Sequence, residues 1–242
     1  CINDEGDRSF AGFVNSQKIF ADEMLDRKVF ERSEISLQTL FKEAKYFITG
    51  TNLLASNKSS EALLFLVEYA SKSGVSIVID ANWREIFWDK FDKSSQIQKQ
   101  DHIQKIKKFL LNGDILKLSN EEAILFFGNN NPLLISQSLS KKPDVIITNG
   151  DKPISWFING FQDTTKVLKS SRIVDTTGAG DSFLAGLISR FINRKEDFDK
   201  DSLINHIQFA SVCGLISCLG EGAIQPQPNI NQVQDFLKLY GS

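Results

Sequence analysis

Cysteine and histidine are scarce in this chain, and long apolar runs are absent. Its three cysteines, Cys1, Cys213 and Cys218, make a poor disulfide framework. Cys213 and Cys218 lie in an apolar, helical-looking segment, where cysteine serves as a small buried hydrophobe. The two histidines, His102 and His206, stand alone, so no Cys/His cluster has the spacing of a zinc site. A reducing, cytoplasmic setting is the expectation that follows. No apolar run reaches the about 18 residues that would mark a membrane span. The 28 basic and 30 acidic residues nearly cancel, so charge points to neither a nucleic-acid nor a membrane partner. The common phosphate signatures are missing too. There is no G-x-x-x-x-G-K-[ST] loop, no protein-kinase catalytic set and no G-x-G-x-x-G turn after an early strand. That last absence excludes the usual dinucleotide-binding oxidoreductase.

What is present is concentrated between Arg172 and Gly186. The stretch opens extended, passes through Thr177-Gly178-Ala179-Gly180, and continues with Phe183, Leu184, Leu187, Ile188 and Phe191 at helical spacing. The pattern predicts a loop that delivers a helix N-terminus. Glycine permits backbone conformations closed to other residues and lets a ligand approach closely. The first N–H groups of a helix have no intrahelical partner, and the macrodipole adds positive charge there, so the turn suits an anion. Asp181 stands where that anion would be held and would repel it. A base that accepts the proton of an attacking hydroxyl supplies a reason for a carboxylate in that place. The plainer alternative is that Asp175 or Asp181 caps the helix and the glycines form a tight turn.

In chain order, Asp4–Phe10 reads as a polar turn entering a strand. Lys45–Gly50 is a strand, followed by a helix with Ala62, Leu63, Leu66, Val67 and Ala70 on one face. Val75–Asp80 is a β-branched run suited to a buried parallel strand. It leads into Asp80-Ala81-Asn82-Trp83-Arg84, polar residues where open α/β sheets bind ligands; alternatively this is a polar loop with Trp83 and Trp88 plugging the core. A helix over 96–111 ends at Asn112-Gly113, and the strand Ile115–Leu118 leads into Ser119-Asn120-Glu121-Glu122. That tetrapeptide fits a capping box, with Ser119 as N-cap and Glu122 at N3. Asp144–Gly150 is a further strand and turn. Ser155–Ile158 and Thr165–Leu168 read as a hairpin about Asn159-Gly160, and the last helix runs over Val233–Tyr240. Strands and helices alternate without linker or repeat, which predicts a doubly wound, mostly parallel α/β sheet with helices on both faces.

The run Asp175-Thr176-Thr177-Gly178-Ala179-Gly180-Asp181-Ser182-Phe183 resembles the C-terminal signature of the ribokinase-like (PfkB-type) carbohydrate and nucleoside kinases. Asp4-Glu5-Gly6-Asp7-Arg8-Ser9-Phe10 resembles a strand beside the family's lid and sugar site, and Ala21-Asp22 followed by Leu25 resembles its "A-D-x-x-L" helix. Asp80–Trp88 resembles the "D-x-N-x-R-x-x-L-W" segment of fructokinases, and Ser119–Glu122 the "N-x-x-E" motif with Ser119 in place of Asn. Thr148-Asn149-Gly150 resembles a nucleotide-side "T-x-G" loop, and Gly220-Glu221-Gly222-Ala223-Ile224, followed by Pro226 and Pro228, resembles a closing "G-A-x-x-x-P" turn. Phe209–Leu215 resembles the helix beside the adenine, with Ser211 where Asn is usual. The resemblance implies one ribokinase-like kinase domain over 1–242, incomplete at its N-terminus, with a remnant of a small β lid in about residues 1–20.

The resemblance also implies roles. Asp181 would be the base and, with Asn82 and Arg84, would contact the sugar, while the N–H groups of Gly178, Ala179 and Gly180 would hold the transferring phosphoryl group. Lys117, Thr148, Gly150, Thr177 and Ser211 would lie on the nucleotide side. Glu122 would serve Mg²⁺ indirectly, and Asp175 a K⁺ site. The implied activity is ATP-dependent phosphorylation of a sugar, fructose first, with 2-keto-3-deoxygluconate or another sugar or nucleoside as the alternative. A catalytically silent regulatory homologue is the competing class. The expected partners are sugar and ATP, with a second copy in a homodimer.

Overall fold

The computed structural model describes residues 21–85, 88, 96–192 and 199–240. The lid remnant, Asp4–Phe10 and Phe87 lie outside these residues. Two compact units divide the described residues, one ending at Ile147 and the other beginning at Thr148.

In the first unit, the expected helix at Ala21–Leu25 is a single 3-10 turn, Ala21–Met24. The α-helix starts later because Asp26 caps it, its carboxylate accepting from the Lys28 amide. Helices α1 (Arg27–Arg32) and α2 (Glu34–Glu43) follow, then β1 (Tyr46–Gly50), α3 (Asn57–Lys72) and β2 (Ser76–Asp80). Next come α4 (Gln96–Leu110), β3 (Ile115–Ser119), α5 (Asn120–Phe127), α6 (Pro132–Ser138) and β4 (Asp144–Asn149), whose end enters the second unit. The strands lie in the order β1-β2-β3-β4. Pairs β1/β2 and β2/β3 are parallel, as the helix between each predicts.

Ile77 and Ile79 of β2 join Leu116, Leu118, Val145 and Ile147 in one core with Leu63, Val67, Ile106, Leu110 and Phe126. Val78 and Ile146, at the alternate positions, are equally buried. Strands β2 and β4 are therefore buried on both faces, which is why their centres read as unbroken apolar runs, while β3 carries the buried Lys117 among its apolar residues.

The second unit holds β5 (Lys152–Ile158), β6 (Phe161–Thr165), α7 (Ala179–Ile192), α8 (Lys200–Ser217) and α9 (Ile230–Tyr240). The hairpin forms about Asn159 (φ 50°) and Gly160 (φ 81°), but its second strand begins at Phe161 instead of Thr165. A two-residue turn with both φ positive sets Phe161 directly opposite Ile158. The strand was hidden because its sequence, Phe-Gln-Asp-Thr-Thr, is mostly polar and exposed. Helix α9 begins three residues earlier than expected. Asn229 and Gln232 exchange side-chain-to-backbone hydrogen bonds of 2.8 and 3.1 Å, a cap readable from the Asn-x-x-Gln spacing.

Helices α7 and α8 approach closely at small residues. A Cβ on Gly214 would lie 3.0 Å from the Ala179 carbonyl oxygen, and one on Gly186 would lie 2.7 Å from Cys213 Sγ. The Gly214→Ala change gains about 1 kcal/mol of helix propensity. Overpacking against a backbone oxygen costs about 1–3 kcal/mol. The clash is with the first residue of α7, so we expect lower stability together with lower activity, read from thermal melts and turnover.

Candidate active site

Two groups of polar residues, one in each unit, take up the positions singled out in the sequence. In the first unit the register sets Asp80 opposite Lys117. Both are buried, and Lys117 Nζ donates to both Asp80 oxygens at 3.1 and 2.9 Å. The lysine expected on the nucleotide side thus has its charge matched within the sheet by a carboxylate 37 residues away.

Beyond β2, the Ala81 N–H donates to the Lys117 carbonyl at 3.0 Å, and Thr51 Oγ1 donates to the Ala81 carbonyl. Asn82 has φ 41°, a conformation Asn tolerates better than most residues. Trp83 packs on Trp88, with ring centroids 5.4 Å apart, and edge-on to Phe126. The aromatic plug and the polar loop are therefore both present. Arg84 is half-buried, and its Nη1 donates to the Trp83 carbonyl at 3.1 Å.

At the end of β3 the capping box is formed. The Glu122 N–H donates to Ser119 Oγ at 3.1 Å, and the Ser119 N–H donates to Glu122 Oε2 at 2.7 Å. The other carboxylate oxygen, Oε1, accepts from the Trp83 N–H at 2.6 Å. Glu122 is buried, so one side chain fastens the start of α5 to the loop after β2.

In the second unit, the signature forms a loop and then the first turn of α7. Gly178 has φ 80° and is buried against Ala223, with a Cβ there meeting Ala223 Cβ at 3.0 Å. Position 178 therefore requires glycine for both conformation and space. The Ser182 N–H donates to the Gly178 carbonyl at 2.8 Å, beginning the helix ladder. The Ala179 N–H donates to the Thr176 carbonyl at 3.3 Å, so this amide is partly engaged within the turn. Gly180 is half-buried, and Asp181, third in α7, is exposed.

Asp175 is buried and belongs to the loop before the helix. Its Oδ1 accepts from the Thr177 N–H at 2.8 Å and its Oδ2 from the Gly222 N–H at 2.9 Å. It ties the signature to the Gly222-Ala223 turn, 47 residues on. Nothing in the spacing could have paired those segments. Thr148 is half-buried at the end of β4, and Gly150 is exposed with φ 56°. Ser211 is buried, its hydroxyl donating to the Gln208 carbonyl at 2.8 Å within α8.

Cys213 and Cys218 are buried free thiols, as their apolar setting predicted. Burial pushes the Cys213 thiol up to about 11, and burial and then the Asp175 carboxylate also raise Cys218. Alkylation at pH 8 should therefore modify neither until denaturant is added, with peptide mapping as the check.

The chain matches the model of the pfkB family carbohydrate kinases over residues 15–230. It is 27% identical over 241 residues to probable fructokinase-6, chloroplastic, of Arabidopsis thaliana. That match covers 98% of this chain and 58% of the plant protein, so the chain spans less than two thirds of that relative. The structure of fructokinase with bound ATP from Xylella fastidiosa superposes with a TM-score of 0.76 at 19% identity, covering 90% of this chain and 67% of that one. Fructokinase from Vibrio cholerae O395, bound to fructose, ADP and calcium ion, gives 0.68 at 22% identity, covering 80% and 61%. These two likenesses show a shared fold.

Proposed function

This chain belongs to the pfkB family of carbohydrate kinases, and we propose that it transfers the γ-phosphoryl group of ATP to a hydroxyl of a sugar, fructose first among candidates. The observation that carries the proposal is Asp181, exposed in the first turn of α7 directly after a loop whose Gly178 only glycine satisfies. The sugar hydroxyl oxygen forms the new bond to the γ-phosphorus, the bond to the ADP oxygen breaks, and Asp181 accepts the hydroxyl proton. Amides at the start of α7, from Gly178 to Gly180, stabilise the charge on the transferring group, Ala179 less so while its N–H serves Thr176. Asn82 and Arg84 contact the sugar or its phosphate, a guanidinium being shaped for such oxygens. Thr148, Gly150, Thr177 and Ser211 face the nucleotide, and Lys117 contributes charge from its pair with Asp80.

A divalent ion, Mg²⁺ in this reading, supplies neutralisation of the nucleotide phosphates. Each Glu122 oxygen accepts one amide, leaving it a lone pair for a metal-bound water, so the residue fits an indirect role better than direct ligation. Asp175, a buried carboxylate joining two loops, fits a contribution to a K⁺ site. We take residues 1–242 as part of one kinase domain of a cytoplasmic homodimer. Among the described residues no helix is long and apolar enough to cross a membrane.

The test is ATP consumption by the full reading frame with Mg²⁺ and K⁺ against fructose, 2-keto-3-deoxygluconate, ribose and adenosine. Turnover with fructose alone supports the whole reading. Turnover with another acceptor keeps the chemistry and moves the substrate. No turnover in a folded protein that binds ATP removes the proposed reaction and favours a regulatory homologue.

A further inference from the structure

A capping box needs one bond from the glutamate, to the N-cap amide, and Glu122 Oε2 makes it with Ser119. The second bond, from the Trp83 N–H to Oε1 at 2.6 Å, comes from a loop 39 residues earlier and does nothing for α5. It grips the peptide that follows Asn82, the residue at φ 41°. The next carbonyl, that of Trp83, accepts from Arg84 Nη1 at 3.1 Å. The loop is also held from β3 by the Ala81 N–H on the Lys117 carbonyl, and from the segment after β1 by Thr51. Glu122 is therefore a carboxylate bonded directly to the segment that carries both Asn82 and Arg84.

We propose that Glu122 is a positioning residue for the substrate loop: through the Trp83 amide it fixes the orientation of Asn82 and Arg84, independently of any service to a metal ion. The buried carboxylate makes this hold stronger than a neutral acceptor would, since hydrogen bonds to charged groups are roughly twice as strong. The loop keeps its left-handed Asn82 because its surroundings over-determine it, and Glu122 is one of those constraints.

The inference rests on the kinase reading for its kinetic consequence, but not for its structural one. Hydrogen exchange at the Trp83 amide should accelerate at least roughly tenfold in Glu122→Ala, the loss expected of one bond to a charged acceptor. In Ser119→Ala, which weakens the helix cap but leaves the Trp83 bond, exchange at Trp83 should not change. With the accepted sugar, Glu122→Ala should raise KM roughly tenfold, and the rise should shrink to about twofold when Arg84 is already Ala, as coupled residues require. Should Glu122→Ala fail to fold, Glu122→Gln retains one acceptor oxygen and should show the same coupling in smaller measure. Unchanged Trp83 exchange, or an equal rise in KM with and without Arg84, would overturn the proposal. If the unsubstituted protein phosphorylates no sugar, the kinase reading fails, and Trp83 exchange alone decides the role of Glu122.

Discussion

Asp181→Asn is expected to lower kcat by roughly 10²–10⁴ while leaving ATP affinity nearly unchanged, because a positioned general base contributes about that much. Asn has the shape of Asp and keeps the third position of α7, but it cannot take a proton from an attacking hydroxyl. The side chain is exposed and Asn fills the same volume, so the change disturbs packing little. Some stability should go as well. A carboxylate in the first turn complements the helix dipole by about 0.3–1 kcal/mol, which for a chain of this size is a few degrees in Tm at most. Steady-state kinetics beside ATP titration checks the result. A variant that keeps near-normal kcat would show that the base lies elsewhere.

Lys117→Met is expected to be strongly destabilising, by about 3–5 kcal/mol, because it removes the ammonium that balances the buried Asp80 carboxylate. That is a large share of the roughly 5–15 kcal/mol that holds a typical domain folded. The loss reflects the stranded charge more than the value of the ion pair, so Asp80→Asn combined with Lys117→Met should recover much of it. Urea unfolding of the two single variants and the double variant measures this directly. If Lys117→Met costs less than about 1 kcal/mol, as a surface pair would, Asp80 is satisfied without the lysine. The exposed pair Lys72–Glu68 serves as the control, since both side chains are mostly in water.

These two results bear on different parts of the chain's legibility. The place of Asp181 in the first turn of a helix was readable from sequence because the signals for that helix start are local. A glycine at positive φ, the first turn of a helix and an apolar helical face all lie within Gly178–Phe191. The same holds for the capping box, whose Ser119 and Glu122 are three residues apart, and for the Asn159-Gly160 turn. Strands β2 and β4 were legible because burial on both faces leaves an apolar run at their centres, whereas β6 was not, because it is polar and exposed.

The pairs that complete the two clusters span 37, 39 and 47 residues: Lys117 with Asp80, Trp83 with Glu122, and Asp175 with Gly222. No periodicity encodes a contact at such distance. Sequence alone determined which chemical groups stand at the ends of which elements, since hydrogen bonding and burial within a few residues decide helix starts, turns and strands. Only the tertiary structure decided which groups hold one another, because strand register and the packing of loop on loop bring an amide to a carboxylate from another part of the chain.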